Sequence, residues 1–342
     1  MLISEFDYHL PEELIAQSPL PKRDASRMLV LDRRNQTWTD STFHSFLDYV
    51  SRDDVVVVNN TRVIPARLIG KRRPSGGRVE VFLVRQLSDN TWEALVRPGG
   101  RLKPADTIEF GARLTGEIID EPGTEIRHVK FTCAGSFEEE LARVGVTPLP
   151  PYIKRNETSN NDRERYQTVY ARSAGAIAAP TAGLHFTSEV LAELRRKAHV
   201  AEITLHVGYG TFEPVRVEEV SDHAVSSESY EVSHEAANTI NRAKAGGGRV
   251  IAVGTTTVRT LESSTNSSGQ LSGQHGESKL TIKPGYKFKM VDALLTNFHL
   301  PRSSLLLLVS AFAGRDFTLA AYKHAVDQGY RFYSYGDCML IL

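Results

Sequence analysis

The sequence has few cysteines and no long apolar run, and both shortages exclude classes of protein. Its 342 residues include two cysteines, Cys133 and Cys338, which lie far apart. Two distant cysteines predict neither a disulfide framework nor a zinc site, so we interpret both cysteines as buried core thiols. The longest strongly apolar stretch, residues 305–313, is much shorter than the ~20 residues that cross a bilayer, and it predicts a buried helix.

A net charge of either sign is also missing. Basic and acidic residues number 41 each, so overall composition indicates neither a nucleic-acid binder nor a membrane-surface protein. Residues 1–7 carry acidic side chains rather than a basic segment followed by an apolar one. We therefore expect no secretory signal, a cytoplasmic location and no membrane contact. Residues 59–103 differ, with ten basic residues against three acidic ones, a pattern typical of a phosphate-binding face and equally of solvated loops.

Two patterns of secondary structure follow one another, in a chain long enough for two domains. Residues 53–59 are a β-branched run, typical of a strand buried on both faces in an α/β layer. Short strand-like segments without intervening helices come next, at residues 78–87, 91–97, 107–110, 114–120 and 125–133. Such spacing predicts a small antiparallel barrel.

Helices and strands alternate in the second half. Ser136 and Glu139 predict a capped short helix, and Thr187 and Ser233 predict the starts of two longer ones, with strands at residues 200–205 and 249–253. We therefore predict a layered α/β sandwich with an inserted small antiparallel β-barrel. The α/β domain would comprise residues 1–63 and 149–342, and the barrel domain residues 64–148. Residues 264–278, rich in Ser, Gly and Gln, predict a flexible surface loop.

Polar and glycine residues collect where these elements end, which is where open α/β sheets bind ligands. The segments concerned are residues 178–187, 205–212, 249–259 and 297–301. They contain His185, His206 and His299, each beside a glycine or a proline or at a helix entrance. A metal site is disfavoured because no H-E-x-x-H spacing, carboxylate triad or cysteine partner accompanies these histidines. Catalytic and purely structural roles both remain open for them.

These motifs give the sequence a resemblance to the S-adenosylmethionine:tRNA ribosyltransferase-isomerase family of queuosine biosynthesis. The matching segments are residues 10–17, 59–68, 166–170, 179–186, 204–212, 253–259, 292–301 and 330–337. The family's fold, an α/β sandwich with an inserted β-barrel, agrees with the organisation predicted above. Residues 277–286 depart from the family pattern, in which an aromatic and acidic stretch often precedes the Pro-Gly-Tyr turn.

The resemblance implies a reaction. The ribosyl part of S-adenosylmethionine is transferred to 7-aminomethyl-7-deazaguanine at the wobble position of tRNA, giving epoxyqueuosine, adenine and methionine. The expected co-substrate is therefore S-adenosylmethionine without a metal, and the expected partner is tRNA carrying that base. We expect the protein to act as a monomer.

The resemblance also suggests roles for individual residues. Proton transfer would involve His185, His206 and His299, with Asp337 or Asp292 orienting one of them. Cofactor contacts would come from Thr181, Gly183, Phe186, Gly208, Gly210, Thr211, Phe212, Thr255, Thr256 and Arg259. Contacts with tRNA would come from Asn59, Asn60, Arg62, Arg67, Arg72, Arg73, Arg97 and Tyr335. Two alternatives are an S-adenosylmethionine-dependent RNA methyltransferase, for which the expected glycine-rich loop is missing, and a noncatalytic RNA-binding protein.

Overall fold

The structure is a computed structural model that describes residues 1–100, 102–121, 125–154, 160–212 and 215–342, without the side chains of residues 160, 161, 211 and 212. The described strands, in chain order, are β1 (Arg27–Asp32), β2 (Thr37–Thr42), β3 (Val55–Asn59), β4 (Thr61–Val63), β5 (Arg67–Arg72), β6 (Arg78–Ser88), β7 (Thr91–Arg97), β8 (Thr107–Glu109), β9 (Leu114–Ile118), β10 (Ile126–Cys133), β11 (Ser173–Ala176), β12 (His199–Leu205), β13 (Glu228–Val232), β14 (Val250–Val253), β15 (Gln274–Ser278), β16 (Ala293–Asn297) and β17 (Cys338–Ile341). The described α-helices are α1 (Phe137–Val144), α2 (Asn160–Arg165), α3 (Ser188–Lys197), α4 (His234–Ala245), α5 (Thr255–Ser264), α6 (Ser304–Ala313) and α7 (Arg315–Asp327).

One large mixed sheet forms the centre of the α/β region, in the order β15-β13-β12-β3-β14-β16-β17-β1-β2. Strands β12, β3, β14 and β16 are parallel to one another. Along β3, Val55 and Val57 pack into one hydrophobic cluster, and Val56 and Val58 pack into the cluster on the other face. Because strand side chains alternate between faces, a strand covered on both sides is apolar throughout. The α/β sandwich predicted from this run is confirmed.

A closed barrel is formed by β10-β7-β6-β5-β8-β9, all of whose neighbours are antiparallel. Its interior contains Leu68, Val81, Ala94 and Phe131 among other buried apolar residues. These residues alternate with exposed or half-buried ones along each strand, as a small barrel filled by its own side chains requires. The predicted antiparallel barrel is therefore confirmed, and its strands lie between Arg67 and Cys133. The limits at residues 64 and 148 remain a prediction.

Most helix starts follow the local sequence signals. The side chains of Ser136, Thr187 and Ser233 each accept a hydrogen bond from the backbone N–H three residues later, at the starts of α1, α3 and α4. The apolar stretch at residues 305–313 lies in α6, most of whose side chains are buried. Within the described residues no single helix has the length and apolar character to cross a membrane, and α6 and α7 together meet those criteria only as a pair bent by 114°.

The prediction of a flexible loop at residues 264–278 was wrong in its second part. Residues 274–278 form β15, which pairs with β13 at the edge of the large sheet. Its polar sequence, Gln-His-Gly-Glu-Ser, fits an edge strand because all but one of its side chains are at least partly exposed. Polar edge strands discourage pairing with other chains, and their composition is easily mistaken for that of a loop.

Candidate functional site

A cleft lies at the carboxyl ends of the parallel strands, where open α/β sheets bind ligands. It has a cavity volume of about 50 Å³ and opens to solvent. Its walls come from the segments that follow β11, β12, β14 and β16, together with aromatic residues from elsewhere in the chain. The lining residues are Tyr152, Tyr166, Ala178, Ala179, Pro180, Thr181, Ala182, Val207, Gly254, Thr255, Thr256, Thr296, Asn297, Phe298, His299, Leu305, Tyr333 and Ser334.

The start of helix α5 forms one wall of the cleft. Gly254 has φ +89°, a conformation that side chains oppose and glycine adopts freely, and it turns the chain from β14 into the helix. Thr255 and Thr256 follow and line the cleft. The Nδ2 of Asn59 donates to the Oγ1 of Thr256 at 3.3 Å and to the carbonyl of Leu205 at 2.9 Å. The contact with Asn59 holds Thr256 in place at the start of α5. The first backbone N–H groups of this helix are therefore suited to bind an anionic group.

His299 is the predicted histidine that lines this cleft. It is 5% exposed, and its Nε2 lies 3.0 Å from the Oγ1 of Thr296. Its backbone N–H donates to the hydroxyl of Tyr322, and its carbonyl accepts from the hydroxyl of Tyr8. Burial lowers the pKa of His299 to about 3, because the charged imidazolium would lose its hydration there. His299 is therefore neutral at physiological pH.

His185 lies behind the cleft, beside Asn297. Its Nδ1 is 2.7 Å from the Oγ of Ser26, whereas its Nε2 is buried without a hydrogen-bond partner among the described residues. The Oδ1 of Asn297 is likewise buried and unpartnered. Burial lowers the pKa of His185 to about 4, and the Asn297 side chain acts weakly in the opposite direction. His185 is therefore a second neutral histidine, and it lies beside the lining residue Asn297 without lining the cleft itself.

His206 and the two predicted carboxylates lie apart from the cleft lining. The Nδ1 of His206 is 2.8 Å from the Oγ1 of Thr61, and burial lowers its pKa. Asp337 accepts hydrogen bonds from the backbone N–H groups of Arg27 and Arg331. Asp292 accepts from Lys244 and from a backbone N–H at the start of β14. In the described part of the chain neither carboxylate has a histidine partner, so their predicted orienting role has no contact to support it.

Two of the predicted cofactor contacts near the cleft lie in tightly packed surroundings. Phe186 is 0% exposed and packs against Phe43, Phe46 and Tyr170. Gly183 is required by packing, since a Cβ added there would lie 2.0 Å from the Tyr170 hydroxyl. Thr181 lines the cleft, and the cofactor contacts of all three residues stay predictions. The side chains of Thr211 and Phe212 lie outside the described residues.

A second cavity of about 330 Å³ meets the cleft at Leu305 and Tyr333 and contains Arg259 and Gly210 in its lining. Arg259 is buried and forms an ion pair with Glu228, and it donates further to the carbonyls of Leu280 and Ser278. Glu228 also accepts the backbone N–H of Gly208 at 2.8 Å. Arg259 therefore contacts protein groups in the second cavity, and its predicted role in holding a carboxylate with Thr255 and Thr256 stays a prediction.

The predicted tRNA-binding residues fall into three groups. Asn59, Asn60 and Tyr335 are buried, and their side chains hydrogen-bond within the protein; their roles as tRNA contacts stay predictions. Arg67, Arg72 and Arg73 form ion pairs with Glu80, Asp106 and Glu109, respectively. Arg62 and Arg97 are exposed and form no ion pair among the described residues.

Tyr333 is the residue at this site that sequence reasoning missed. It has φ +74°, which is rare for a bulky side chain and costs conformational energy. Its carbonyl accepts from the Nδ2 of Asn297 at 2.9 Å, and its N–H donates to the carbonyl of Phe298 at 3.2 Å. Tyr333 thereby stands where the cleft and the second cavity meet. No signal in the sequence predicts this backbone conformation.

The described residues contain no group of three or more His, Cys, Asp or Glu arranged to hold a metal ion. The fold and cleft define an α/β protein with a ligand site at the carboxyl edge of its sheet, adjoining an inserted barrel. A family model described as "Queuosine biosynthesis protein" matches residues 3–341. The chain belongs to this family.

Individual relatives agree with that assignment. The chain is 49% identical over 344 residues to the S-adenosylmethionine:tRNA ribosyltransferase-isomerase of Desulforamulus reducens, with all of both chains covered. It is 48% identical over 343 residues to the protein of the same name from Trichlorobacter lovleyi, again with full coverage. The crystal structure of S-adenosylmethionine tRNA ribosyltransferase from Thermotoga maritima is 36% identical, covers 99% of this chain and 100% of its own, and has a TM-score of 0.57.

Proposed function

We propose that this chain is an S-adenosylmethionine:tRNA ribosyltransferase-isomerase that acts on 7-aminomethyl-7-deazaguanine at the wobble position of tRNA. Its products would be epoxyqueuosine in the tRNA, adenine and methionine. The observation that carries the proposal is the full-length identity of 49% to a relative of that name. The cleft at the carboxyl edge of the sheet supports it, because it combines a helix start suited to a carboxylate with a neutral histidine.

The chemistry sets three requirements for the cleft. The sulfonium of S-adenosylmethionine acidifies the C5′ protons, so a group must accept one of them. Loss of adenine requires protonation of the leaving base, and the aminomethyl group of the tRNA must be placed to capture the ribose carbons. The cofactor supplies the reactive carbon skeleton, and the protein supplies orientation and proton transfer.

We assign proton transfer in the first instance to His299. Its neutral imidazole can accept a proton, and Thr296 fixes its orientation. The burial that keeps it neutral also makes it a weaker base than free imidazole, so its position against the reacting carbon has to provide much of the rate enhancement. Thr255 and Thr256, at the start of α5, would hold the methionine carboxylate.

The second cavity would receive the modified base of the tRNA next to S-adenosylmethionine bound in the cleft. It meets the cleft at Tyr333 and Leu305 and also contains Gly210. The preceding residue, Tyr209, packs on Phe82 of the barrel and lines a surface depression together with Arg97. A tRNA lying on the exposed arginines of the barrel could therefore extend its wobble base toward the cleft.

The proposal extends to the organisation of the protein. The α/β domain would comprise residues 1–63 and 149–342 and carry out the chemistry, and the inserted barrel of residues 64–148 would contact tRNA. We also propose that the enzyme acts as a monomer, that it is located in the cytoplasm together with its tRNA substrate, and that it needs no metal cofactor.

The fate of S-adenosylmethionine tests the proposal. With ribose-labelled cofactor and tRNA carrying 7-aminomethyl-7-deazaguanine, we expect equal amounts of adenine and methionine by chromatography and label retained on the RNA. Matched tRNA with guanine at the wobble position serves as the control and should release neither product. S-adenosylhomocysteine as the main product would indicate a methyltransferase, and an unconsumed cofactor would indicate a noncatalytic RNA-binding protein.

A further inference from the structure

A smaller cavity adjoins the cleft on the side of the N-terminal segment. Its volume is about 20 Å³, it opens to solvent, and it shares Ser334 with the cleft lining. Its charged or titratable lining residues are Lys22, Arg23, Arg165, His185 and Tyr335. Among the described residues no carboxylate lines it, although Asp162 lies behind the lining and accepts from the Tyr335 hydroxyl. We call it the arginine cavity.

The guanidinium groups of the arginine cavity are held by carbonyls and not by carboxylates. Arg23 donates to the carbonyls of Leu184 at 3.2 Å and Glu164 at 3.0 Å. Arg165 donates to the carbonyls of Pro21 at 3.2 Å and Leu20 at 2.6 Å. These bonds fix both side chains in place and leave their positive charges uncompensated.

Arg331 adds a third guanidinium at the edge of this cavity. It donates to the carbonyl of Ser18, next to the lining residue Pro19. Burial lowers the pKa of Arg331 and the charge of Asp337 acts against that effect, and the Asp337 oxygens accept backbone N–H groups. Among the residues that the structure describes, Lys22, Arg23, Arg165 and Arg331 take part in no ion pair within 4.0 Å. Lys22, Arg23 and Arg165 therefore carry positive charges without an ion-pair partner.

Two buried donors make this arrangement more specific. The Nε of Arg165 and the Nη1 of Arg331 are buried and have no acceptor among the described residues. Burial lowers the pKa of Arg23, and the nearby charge of Arg165 acts in the same direction. Uncompensated charges and unpaired buried donors both cost free energy. An anion at the opening of the cavity would reduce the first cost by compensating the charges of Lys22, Arg23 and Arg165.

We propose that the arginine cavity binds a phosphate of the tRNA backbone, which gives the α/β region an RNA contact separate from the barrel. The assignment rests on the proposed function. A phosphodiester fits because it offers oxygens to two guanidinium forks, and because Lys22 at the cavity rim is exposed. The shared residue Ser334 places this phosphate next to the cleft that receives the wobble nucleotide.

The test compares Arg23→Gln and Lys22→Gln with Arg196→Gln, which removes an exposed charge on α3, outside the cavity lining. We expect each of the first two variants to weaken tRNA binding about tenfold at low salt and to reduce the slope of log K against log salt by about 1, as for one lost phosphate contact. Arg196→Gln should leave the slope unchanged. Arg23→Lys, which keeps the charge, should recover most of the affinity, which a purely structural role of Arg23 would not predict.

Two further measurements decide between sources of the anion. Affinity for S-adenosylmethionine without tRNA should stay within about twofold in Lys22→Gln and Arg23→Gln by titration calorimetry. Inorganic phosphate should raise the unfolding temperature of the wild type more than that of Arg23→Gln at equal ionic strength, since general salt effects act on both.

The proposal is overturned if folded Arg23→Gln and Lys22→Gln bind tRNA with the control's affinity and salt slope. It is also overturned if they lose cofactor affinity and keep tRNA affinity, because the anion would then be the cofactor's carboxylate. A wild type that binds tRNA with the expected salt dependence and leaves S-adenosylmethionine intact would refute the proposed function and still support the phosphate site.

Discussion

The arginines of the barrel and those around the arginine cavity differ in the groups that compensate their charge. On the barrel, Arg67, Arg72, Arg73 and Arg85 each pair with a carboxylate of the barrel itself. Around the arginine cavity, Arg23 and Arg165 are held by carbonyls. Residues 59–103, most of them in the barrel, have a local excess of ten basic residues over three acidic ones, whereas Arg23 and Arg165 at the arginine cavity form no ion pair among the described residues.

This difference shows why a count of basic residues predicts an RNA-binding surface poorly. A guanidinium already paired with a carboxylate gains less from a phosphate, because binding must break or share the existing pair. The same region of the molecule keeps His185 and His299 neutral by burial. The α/β region thus combines guanidinium groups that lack ion pairs with buried, uncharged histidines.

The largest expected effect concerns the cleft. His299→Gln should lower kcat by about 100-fold or more while the protein stays folded, because a positioned acid or base contributes on that scale. His206→Gln is the matched control, since His206 does not line the cleft, and it should stay within about threefold of the wild type. Turnover measured with saturating cofactor and tRNA checks both. Equal losses in the two variants, or none in either, would contradict the assignment of proton transfer to His299.

A smaller effect should separate paired from unpaired arginines on the barrel side. Arg62→Gln and Arg97→Gln, which remove exposed unpaired charges, should each weaken tRNA binding about three- to tenfold and lower the salt slope by about 1. Arg72→Gln and Arg73→Gln should change the slope by less, because Asp106 and Glu109 already compensate their charges. Filter binding across a salt series provides the measurement. The same slope change in all four variants would show that an ion pair with a carboxylate does not alter an arginine's contribution to tRNA binding.

The smallest effect is on stability and follows from the neutral histidines. The pKa of His185 is about 4 in the folded protein, below its ordinary value, so the unfolded chain takes up a proton first as the pH falls. The free energy of unfolding should therefore decrease from about pH 6.5 downward, until the pH reaches the folded pKa. Between pH 7 and pH 5 the loss is about 2 kcal/mol for this residue.

Urea unfolding of the wild type and His185→Gln at both pH values isolates this contribution, since the other titrating groups are common to both proteins. The difference in unfolding free energy between them should shrink as the pH falls. A difference independent of pH would mean that His185 is not held neutral by burial.

Much of the fold could be predicted because its signals are local. The run from Val55 to Val58 marked a strand covered on both faces, and Thr187 and Ser233 marked helix starts through their own side chains. Strand β17 was harder, since it completes the sheet by pairing with β1, about 310 residues earlier, and such long-range pairing leaves little trace in local sequence. Strand β15 was missed because an exposed edge strand has the composition of a loop.

The site was predicted less completely. Thr255, Thr256 and His299 follow strands, and the chemistry of strand ends was enough to select them. The ion pair of Arg259 could not be predicted, because its partner Glu228 lies 31 residues away in the sequence. Arg23 and Arg165 were overlooked for a similar reason. Their significance depends on which acceptors surround them, and neither spacing nor residue type reveals that.

The backbone conformation of Tyr333 is strained, and unfolding would relieve that strain. Its left-handed backbone, at φ +74°, stores about 1–3 kcal/mol in a typical case, and Asn297 holds it there from the end of β16. Glycine would occupy this position without strain, so selection for thermal stability alone would favour glycine. A tyrosine at this point means that stability and function impose opposing demands on the same residue, where the two cavities meet.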